Sequence, residues 1–342
     1  MHVFLSEYLT CGALSETVAY DRSLAVEGAA MLRALAADAV QTHGWQVSVT
    51  WDAALEPIGV AGVIAHASAS PDEECSRFPA LTRDADATLV IAPEFDRILE
   101  DRCRLIVTSG GRSSGSSAEA VALCADKLLL ARHLEEHDVP TVPTSRFDLR
   151  DRALNFDEAS TQRVVIKPRF GAGSINTFVV SSRDGYLQAA EFDSITALSD
   201  AISQPFVQGR ALSAAAIVSR SGIEVWPVCS QDIVGSERLH YAGGIVPADI
   251  DRSDEVADVA RRAIATVPGL HGYVGVDLIL PDDAAPVVVE INPRLTSSYL
   301  GYRRLAASNL APRILQPDEP HSDPEWKPLM VAFQPGGSPR LH

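Results

Sequence analysis

The sequence has no C-x-x-C pair. Its five cysteines, Cys11, Cys75, Cys103, Cys124 and Cys229, are scattered and odd in number, which gives no basis for a zinc site or a disulfide framework and suits a reducing compartment. Cations are scarce as well: 29 Lys and Arg stand against 45 Asp and Glu, a net charge of −16. That balance argues against a nucleic-acid or anionic-membrane partner, each of which favours clustered cations. It leaves room for a nucleotide, which needs only a few local cations and a metal. No apolar run is long enough to span a bilayer, and Glu7 falls where a signal peptide would need its apolar centre. The expectation is a soluble, cytoplasmic protein with no nucleic-acid or membrane partner; a homodimer is left open.

What is present is enough apolar residue for two or three packed units: 46% apolar and 22% charged over 342 residues. Over the first hundred or so residues, short apolar runs alternate with helical spacing. Val3 to Leu5, Val47 to Val49, Leu89 to Ile91 and Leu105 to Val107 read as strands, and Leu24, Gly28, Met31 and Leu35 as a helix face. The pattern predicts a small α/β domain with a mostly parallel sheet. Ligands of such sheets sit off the carboxyl ends of the strands, where Ser6, Glu7 and Tyr8 fall; an ordinary solvated turn fits them equally. The run Thr108 to Ser117 marks a boundary before a helix with Ser116 and Glu119 at capping-box spacing, ending near His137 ahead of Pro140 and Pro143. From Arg163 the pattern turns β-rich: strands at Arg163 to Lys167, Thr177 to Val180, Leu212 to Val218 and Glu224 to Val228. A helix from Ser253 and strands at Val274 to Leu280 and Val287 to Ile291 follow. The stretch from Pro317 reads as partly loose.

The chemistry-bearing feature is the last pair of strands. Glu290 and Asn292 share a face because side chains alternate along a strand, and Asp277 joins them if the strands pair. Two carboxylates and an amide oxygen suit Mg²⁺ bridging nucleotide phosphates; a solvent-facing hairpin is the other reading. Upstream, Lys167 ends an apolar strand and Gly171-Ala172-Gly173-Ser174 follows, a turn whose N–H groups can cradle phosphate or simply close a hairpin. It is neither a Walker A motif nor a dinucleotide fingerprint. Lys127 lies on an amphipathic helix, the usual place of a solvated lysine. Gln204-Pro205-Phe206-Val207, after a helix and before a strand, reads as a hinge that offers backbone groups to an adenine edge and Phe206 to its face, or as a plain connection.

Taken in this order, the helix lysine, strand lysine, Gly-rich loop, hinge and Asp…Glu-x-Asn pair resemble the ATP-grasp enzymes over roughly residues 116 to 305. The resemblance implies an α/β and α+β fold: an N-terminal Rossmann-like (pre-ATP-grasp) domain at 1–115, then a two-part ATP-grasp fold at 116–203 and 204–342. It implies that Lys127 and Lys167 contact phosphates, Gly171 to Ser174 form a lid, Gln204 to Val207 line the adenine pocket, and Asp277, Glu290 and Asn292 hold Mg²⁺, with Mn²⁺ as a substitute. Two positions depart from the family: Ala211 stands where many relatives place an acidic residue on the ribose, and Gly275 where some carry an arginine near the reacting phosphate, leaving Arg294 as the candidate catalytic cation beside Lys167. Arg303 and Arg304 read as structural or surface residues. Within the superfamily, Ser6 to Gly12, His240 to Gly244 and Glu290 to Tyr299 are similar to the tyramine–glutamate ligase group of methanofuran-type cofactor biosynthesis, which adds Glu7, Tyr8, Tyr241, Arg294, Thr296 and Ser297 as substrate residues. The implied reaction is ADP-forming ligation of an amino-acid carboxylate to an amine through an acyl phosphate. The alternatives are a phosphotransferase of the same fold, a ligase of another amino acid, or a non-catalytic ATP-binding module.

Overall fold

Val3, Phe4 and Leu5 form a run with no exposed member, the pattern of a strand covered on both faces. The computed structural model describes residues 1–14, 22–147, 163–180 and 200–337. It places this run in strand β1 (His2–Glu7), parallel to β2 (Gln46–Asp52) and β4 (Ala87–Ile91), with β3 (Val63–Ser68) beyond β2. Alternation along β1 sends Val3 and Leu5 to one face, against Met31, Leu32 and Leu35 of helix α1 (Arg22–Val40). It sends Phe4 to the other, against Phe78 of α2 (Pro71–Asp84) and Leu99 of α3 (Ile98–Thr108).

Leu105 to Val107, expected as a strand, belongs to α3. Ile98, Leu99, Arg102, Cys103 and Ile106 are buried at helical spacing while Val107 is 68% exposed, so the three-to-four period prevails over a short apolar triplet. The Gly/Ser run after it is also more than a linker: Ser113 bridges Thr88 of β4 in parallel, and the Ser114 hydroxyl donates to the Leu315 carbonyl at 2.7 Å. The helix that follows is capped by Ser117, whose oxygen accepts from Ala120 N; the expected cap, Ser116, instead bonds the backbone of His271. It is also two helices, α4 (Ala118–Ala125) and α5 (Lys127–Glu136). Asp126 breaks them with a non-helical backbone and caps the second by accepting from Leu128 N and Leu129 N.

Among the described residues, two further sheets make up the rest. In one, β5 (Ser145–Phe147), β6 (Val164–Pro168), β7 (Phe178–Val180) and β8 (Ala201–Pro205) run in the order β5-β8-β6-β7. Gln204 and Pro205 therefore sit in a strand rather than a hinge, paired to Val165 and Val164; the helix expected before them lies outside the described residues. The other sheet contains β9 (Arg210–Ser219), β10 (Gly222–Val225), β11 (Cys229–Val234), β12 (His240–Val246), β13 (Gly272–Leu280), β14 (Val287–Asn292) and β15 (Val331–Phe333). Its order is β14-β13-β9-β11-β12-β15, with β10 on β9. The tail expected to be loose thus supplies an edge strand, Phe333 opposite Gly244. Helix α6 (Ser253–Thr266) buries Val256, Val259, Ala260 and Ala263 against this sheet.

One core joins the first sheet to the third: Val3, Leu5 and Leu35 lie in the same buried cluster as Ile217, Tyr273, Tyr299 and Tyr302. Asp38 of α1 ties the join. Its carboxylate accepts two bonds from Arg303 at 2.8 and 2.6 Å and one from the Tyr299 hydroxyl at 2.6 Å. Removing one partner of such a set leaves the others desolvated and unpaired, so Asp38→Ala is expected to lower the unfolding free energy by about 2–3 kcal/mol, read by urea denaturation.

Candidate functional site

The third sheet forms the floor of a cleft and the β5–β8 sheet overhangs it, leaving a cavity of about 220 Å³ partly open to solvent. Asp277 of β13 is the register partner of Glu290 on β14 and of Ser213 on β9. Asn292, two residues past Glu290, donates its amide to Asp277 Oδ2 at 3.1 Å, and Gln231 of β11 donates to Oδ1 at 2.9 Å. The expected carboxylate pair and amide therefore converge on one sheet face. Among the described residues no three His, Cys, Asp or Glu side chains gather as a metal cage; the donor set here is two carboxylates and an amide oxygen.

Two buried lysines meet that set. Lys127, the first residue of α5, places Nζ 3.0 Å from Glu290 Oε2 and donates to the Gly171 carbonyl at 2.8 Å. Lys167 of β6 is 7% exposed. Burial chiefly pulls its pKa down to about 8, with Lys127 adding to the pull and Glu290 and Asp277 opposing it. For Glu290, burial works upward, but Lys127 and Lys167 outweigh it and hold the carboxyl below its ordinary range. Asp277 goes the other way: burial, then the neighbouring Glu290 charge, raise it well above. A second negative charge beside the first is unfavourable until a cation arrives, and a hard divalent ion fits this oxygen set.

The loop Gly171 to Ser174 joins β6 to β7 over the cleft, with positive φ at Gly173 and Ser174. It is held from below, since Arg169 pairs through two nitrogens with Asp126 at the α4–α5 break. Gln204, Pro205, Phe206 and Val207 all line the cleft. Their offer to a base is narrower than expected: the Phe206 N–H donates to the Arg163 carbonyl at 2.9 Å, and the Arg163 guanidinium covers one face of its ring at 3.6 Å.

Arg294, just past β14, lines the cleft and pairs through Nε and Nη2 with Glu94 at 2.8 and 3.1 Å. Tyr241, Thr296 and Ser297 line the same end; the Ser297 hydroxyl reaches the Tyr241 hydroxyl at 3.3 Å, and Thr296 bonds Tyr273 and Ser298. Glu7 lies instead in a smaller adjoining cavity that shares Glu27, Ala172, Gly173 and Arg294 with the cleft. Tyr8 lines neither cavity: β1 ends at Glu7, Tyr8 opens a single 3-10 turn capped by Glu7, and its ring packs on the Arg102 guanidinium, 4.9 Å from the ring centroid, beside Phe78.

A family model described as an ATP-grasp domain matches residues 124–298, and one described as a pre ATP-grasp 3 domain matches residues 45–121. The chain belongs to the ATP-grasp family. It is 28% identical over 219 residues to tyramine–L-glutamate ligase of Methanocaldococcus fervens, an alignment covering 64% of this chain and 62% of that protein, so less than two thirds of that relative's length is matched. It is 26% identical over 183 residues to D-alanine–D-alanine ligase of Thermotoga maritima, covering 51% and 58%. The crystal structure of an ATP-grasp superfamily protein from Archaeoglobus fulgidus superposes with a TM-score of 0.69 at 26% identity, covering 97% of this chain and 92% of that one.

Glu94, Glu27 and Gln231, in or beside the cleft, were not singled out in the sequence. Glu94 follows β4 at the carboxyl edge of the first sheet, where the strand-end rule would have found it. Glu27 looks like any solvated helix carboxylate, and Gln231 carries no local signal. Gly28 does carry one, a glycine inside a long helix: a Cβ there would stand 2.5 Å from the Glu7 carboxylate. Gly275, the position where some relatives carry arginine, faces Thr296, whose methyl would lie 2.7 Å from a Cβ, so a side chain there requires Thr296 to shift.

The Glu7 carboxylate accepts from Leu9 N at 3.1 Å and the Thr10 hydroxyl at 2.6 Å. Burial nonetheless dominates and raises its pKa from 4.5 to about 7. Between those values the folded chain keeps a proton that the unfolded chain has released, so this contribution to stability is full below the lower value and is lost as pH rises through the upper. Glu7→Gln is expected to flatten that slope, gaining stability relative to wild type at pH ~8 but not at pH ~5, measured by urea unfolding at both.

Proposed function

We propose that this ATP-grasp protein is an ADP-forming carboxylate–amine ligase that joins glutamate to tyramine, tyrosine or a related amine, as in methanofuran-type C1 cofactor biosynthesis. The observation that carries the reading is the Asp277–Glu290–Asn292 set facing Lys127 and Lys167 in one cleft. The family uses ATP and Mg²⁺, and relatives named for tyramine–L-glutamate and D-alanine–D-alanine ligation supply the bond type. In this reading residues 1–115 form the N-terminal domain, 116–203 the lid-bearing part of the grasp and 204–342 the part with the metal strands.

Asp277, Glu290 and Asn292 would hold Mg²⁺, or Mn²⁺ in its place. When bound, the ion would supply positive charge that offsets the nucleotide's phosphate charge. The substrate carboxylate takes the γ-phosphoryl group of ATP to give an acyl phosphate and ADP. The amine nitrogen then attacks the acyl carbon, phosphate leaves with the bonding pair, and the nitrogen gives up a proton. Lys127 and Lys167 set fixed charge along the polyphosphate, which lowers the barrier without reorganisation at the moment of transfer. Gly171 to Ser174, lying over the cleft, exclude water that would hydrolyse the acyl phosphate. Arg294 faces both cavities and is placed to meet a carboxylate or the transferring phosphoryl group, while Tyr241, Thr296, Ser297 and Glu7 surround the substrate end.

Glu290→Gln and Asp277→Asn keep side-chain volume but remove metal-binding charge. Each is expected to cut ADP formation by about a thousandfold with an unchanged circular-dichroism spectrum; near-normal turnover would remove the metal assignment. Lys167→Ala is expected to weaken ATP binding by about tenfold or more, and an unchanged calorimetric affinity would remove the phosphate role. The reaction itself is tested by phosphate release from ATP in the presence of glutamate or another amino acid, each paired with tyramine, tyrosine and related amines, with products weighed by mass spectrometry. Activity confined to other pairs would overturn the substrate reading, and phosphate release without any amide product would overturn ligation.

A further inference from the structure

An amine that attacks an acyl phosphate must first lose a proton. An alkylammonium releases it only near the lysine range, roughly 10, so at neutral pH the incoming amine is not yet a nucleophile. Bulk water is a poor acceptor under the Gly171 to Ser174 loop, which reaches helix α1: a Cβ on Gly173 would stand 2.9 Å from the Leu24 side chain. The acceptor is therefore to be sought on the cleft wall. Among the described residues, the charged side chains lining the cleft are Glu27, Lys127, Lys167, Asp277, Glu290 and Arg294, and no histidine or cysteine joins them. Three of these are cations. Asp277 and Glu290 form the proposed metal set with Asn292. Burial raises the Tyr241 hydroxyl well above its ordinary pKa of 10, so it stays protonated. Glu27 is the carboxylate that remains.

Its position fits the task. Glu27 lies on α1 about one turn beyond Leu24 and, with Arg294, Ala172 and Gly173, lines both the cleft and the smaller cavity. The Ser297 hydroxyl stands beside its carboxylate and 3.3 Å from the Tyr241 hydroxyl, which puts it at the substrate end. No arginine neutralises it directly: Arg294 turns Nε and Nη2 to Glu94 and Nη1 to the Leu295 carbonyl at 3.2 Å. Burial chiefly raises the Glu27 pKa, against the opposing pull of Arg294 and Ser297 and with help from Glu94. That direction suits a base working near neutral pH. Glu7 and Glu94 are placed differently, since neither lines the cleft and both already accept hydrogen bonds from the protein.

We infer that Glu27 is the general base of the ligation, its carboxylate receiving the proton of the amine substrate where the two cavities meet; this rests on the ligase reading of the cleft. The amine enters as an ammonium, drawn to the carboxylate, and one N–H proton passes to a Glu27 oxygen. The freed lone pair forms the C–N bond as the C–O bond to phosphate breaks. Phosphate leaves with that bonding pair and takes the second proton from the new amide nitrogen. Glu27 returns its own proton to solvent once the loop opens.

The test compares two nucleophiles in the full chain with ATP, magnesium and glutamate: tyramine, which arrives protonated, and hydroxylamine, which is already neutral at neutral pH. Glu27→Gln keeps the shape and removes the proton acceptor. It is expected to slow amide formation with tyramine by about a hundredfold or more while slowing hydroxamate formation by about threefold at most. Equal losses with both nucleophiles would assign Glu27 a merely structural role and overturn the inference, as would no loss with either; the ligase reading would survive both results. A wild-type protein that makes neither amide nor hydroxamate would overturn that reading and this inference together. If Glu27→Gln does not fold, Glu27→Asp carries the same comparison, because the retracted carboxylate is expected to slow the tyramine reaction selectively, by about tenfold.

Discussion

The buried contact between Lys127 and Glu290 is the interaction on which the cleft depends. A carboxylate at that depth is costly without a partner, and, after burial, its charge in turn raises the pKa of the neighbouring Asp277. The ammonium that offsets it comes from a different part of the chain and binds a third at the same time, through the Gly171 carbonyl. Helix α5, strand β14 and the Gly171 to Ser174 loop are therefore positioned by one cation. The break at Asp126 makes this geometry available: with the backbone out of helical conformation there, Lys127 begins a new helix rather than facing outward from an old one. Arg169 completes the arrangement by clamping the strand before the lid onto the same aspartate.

The convergence of Asp277, Glu290 and Asn292 was legible in the sequence because its logic is local. Glu290 and Asn292 are two residues apart, and a short connection brings Asp277 opposite them, so alternation alone predicts one face. Lys127 was visible only through the family resemblance, since its helical surroundings are those of a solvated residue. Glu94 and Arg294 are 200 residues apart, and Gln231 and Asp277 are 46 apart; no periodicity carries such pairings. The misread elements have a common cause as well. Leu105 to Val107 is an apolar triplet whose burial is decided by α2 and β4, and Gln204-Pro205 looks like a break until its strand partner at Val164 and Val165 is known. Tyr8 shows the limit of motif reasoning: adjacent to Glu7 in sequence, it faces a different core.

The charge pattern shows how an acidic chain can present a cleft suited to a polyanion. Negative charge dominates the whole, yet at the cleft the lysines are buried and the carboxylates stand in a cation-demanding pair. Burial weakens the hold of Lys167 on its proton while the carboxylates strengthen it, so the same carboxylates that would hold a metal also keep this lysine charged near neutral pH.

The core shared between the first and third sheets bears on how the chain is made. Asp38 and Tyr299, its partner across that core, are 261 residues apart. As synthesis proceeds from the N-terminus, α1 and the face of β1 beneath it emerge long before Ile217, Tyr273 and Tyr302 exist to cover them. The nascent first sheet therefore spends most of translation with one apolar flank open, the situation in which non-local topology exposes a chain to aggregation. Helper proteins that shield hydrophobic surface during elongation would act on this flank, and slow elongation would prolong the hazard rather than relieve it.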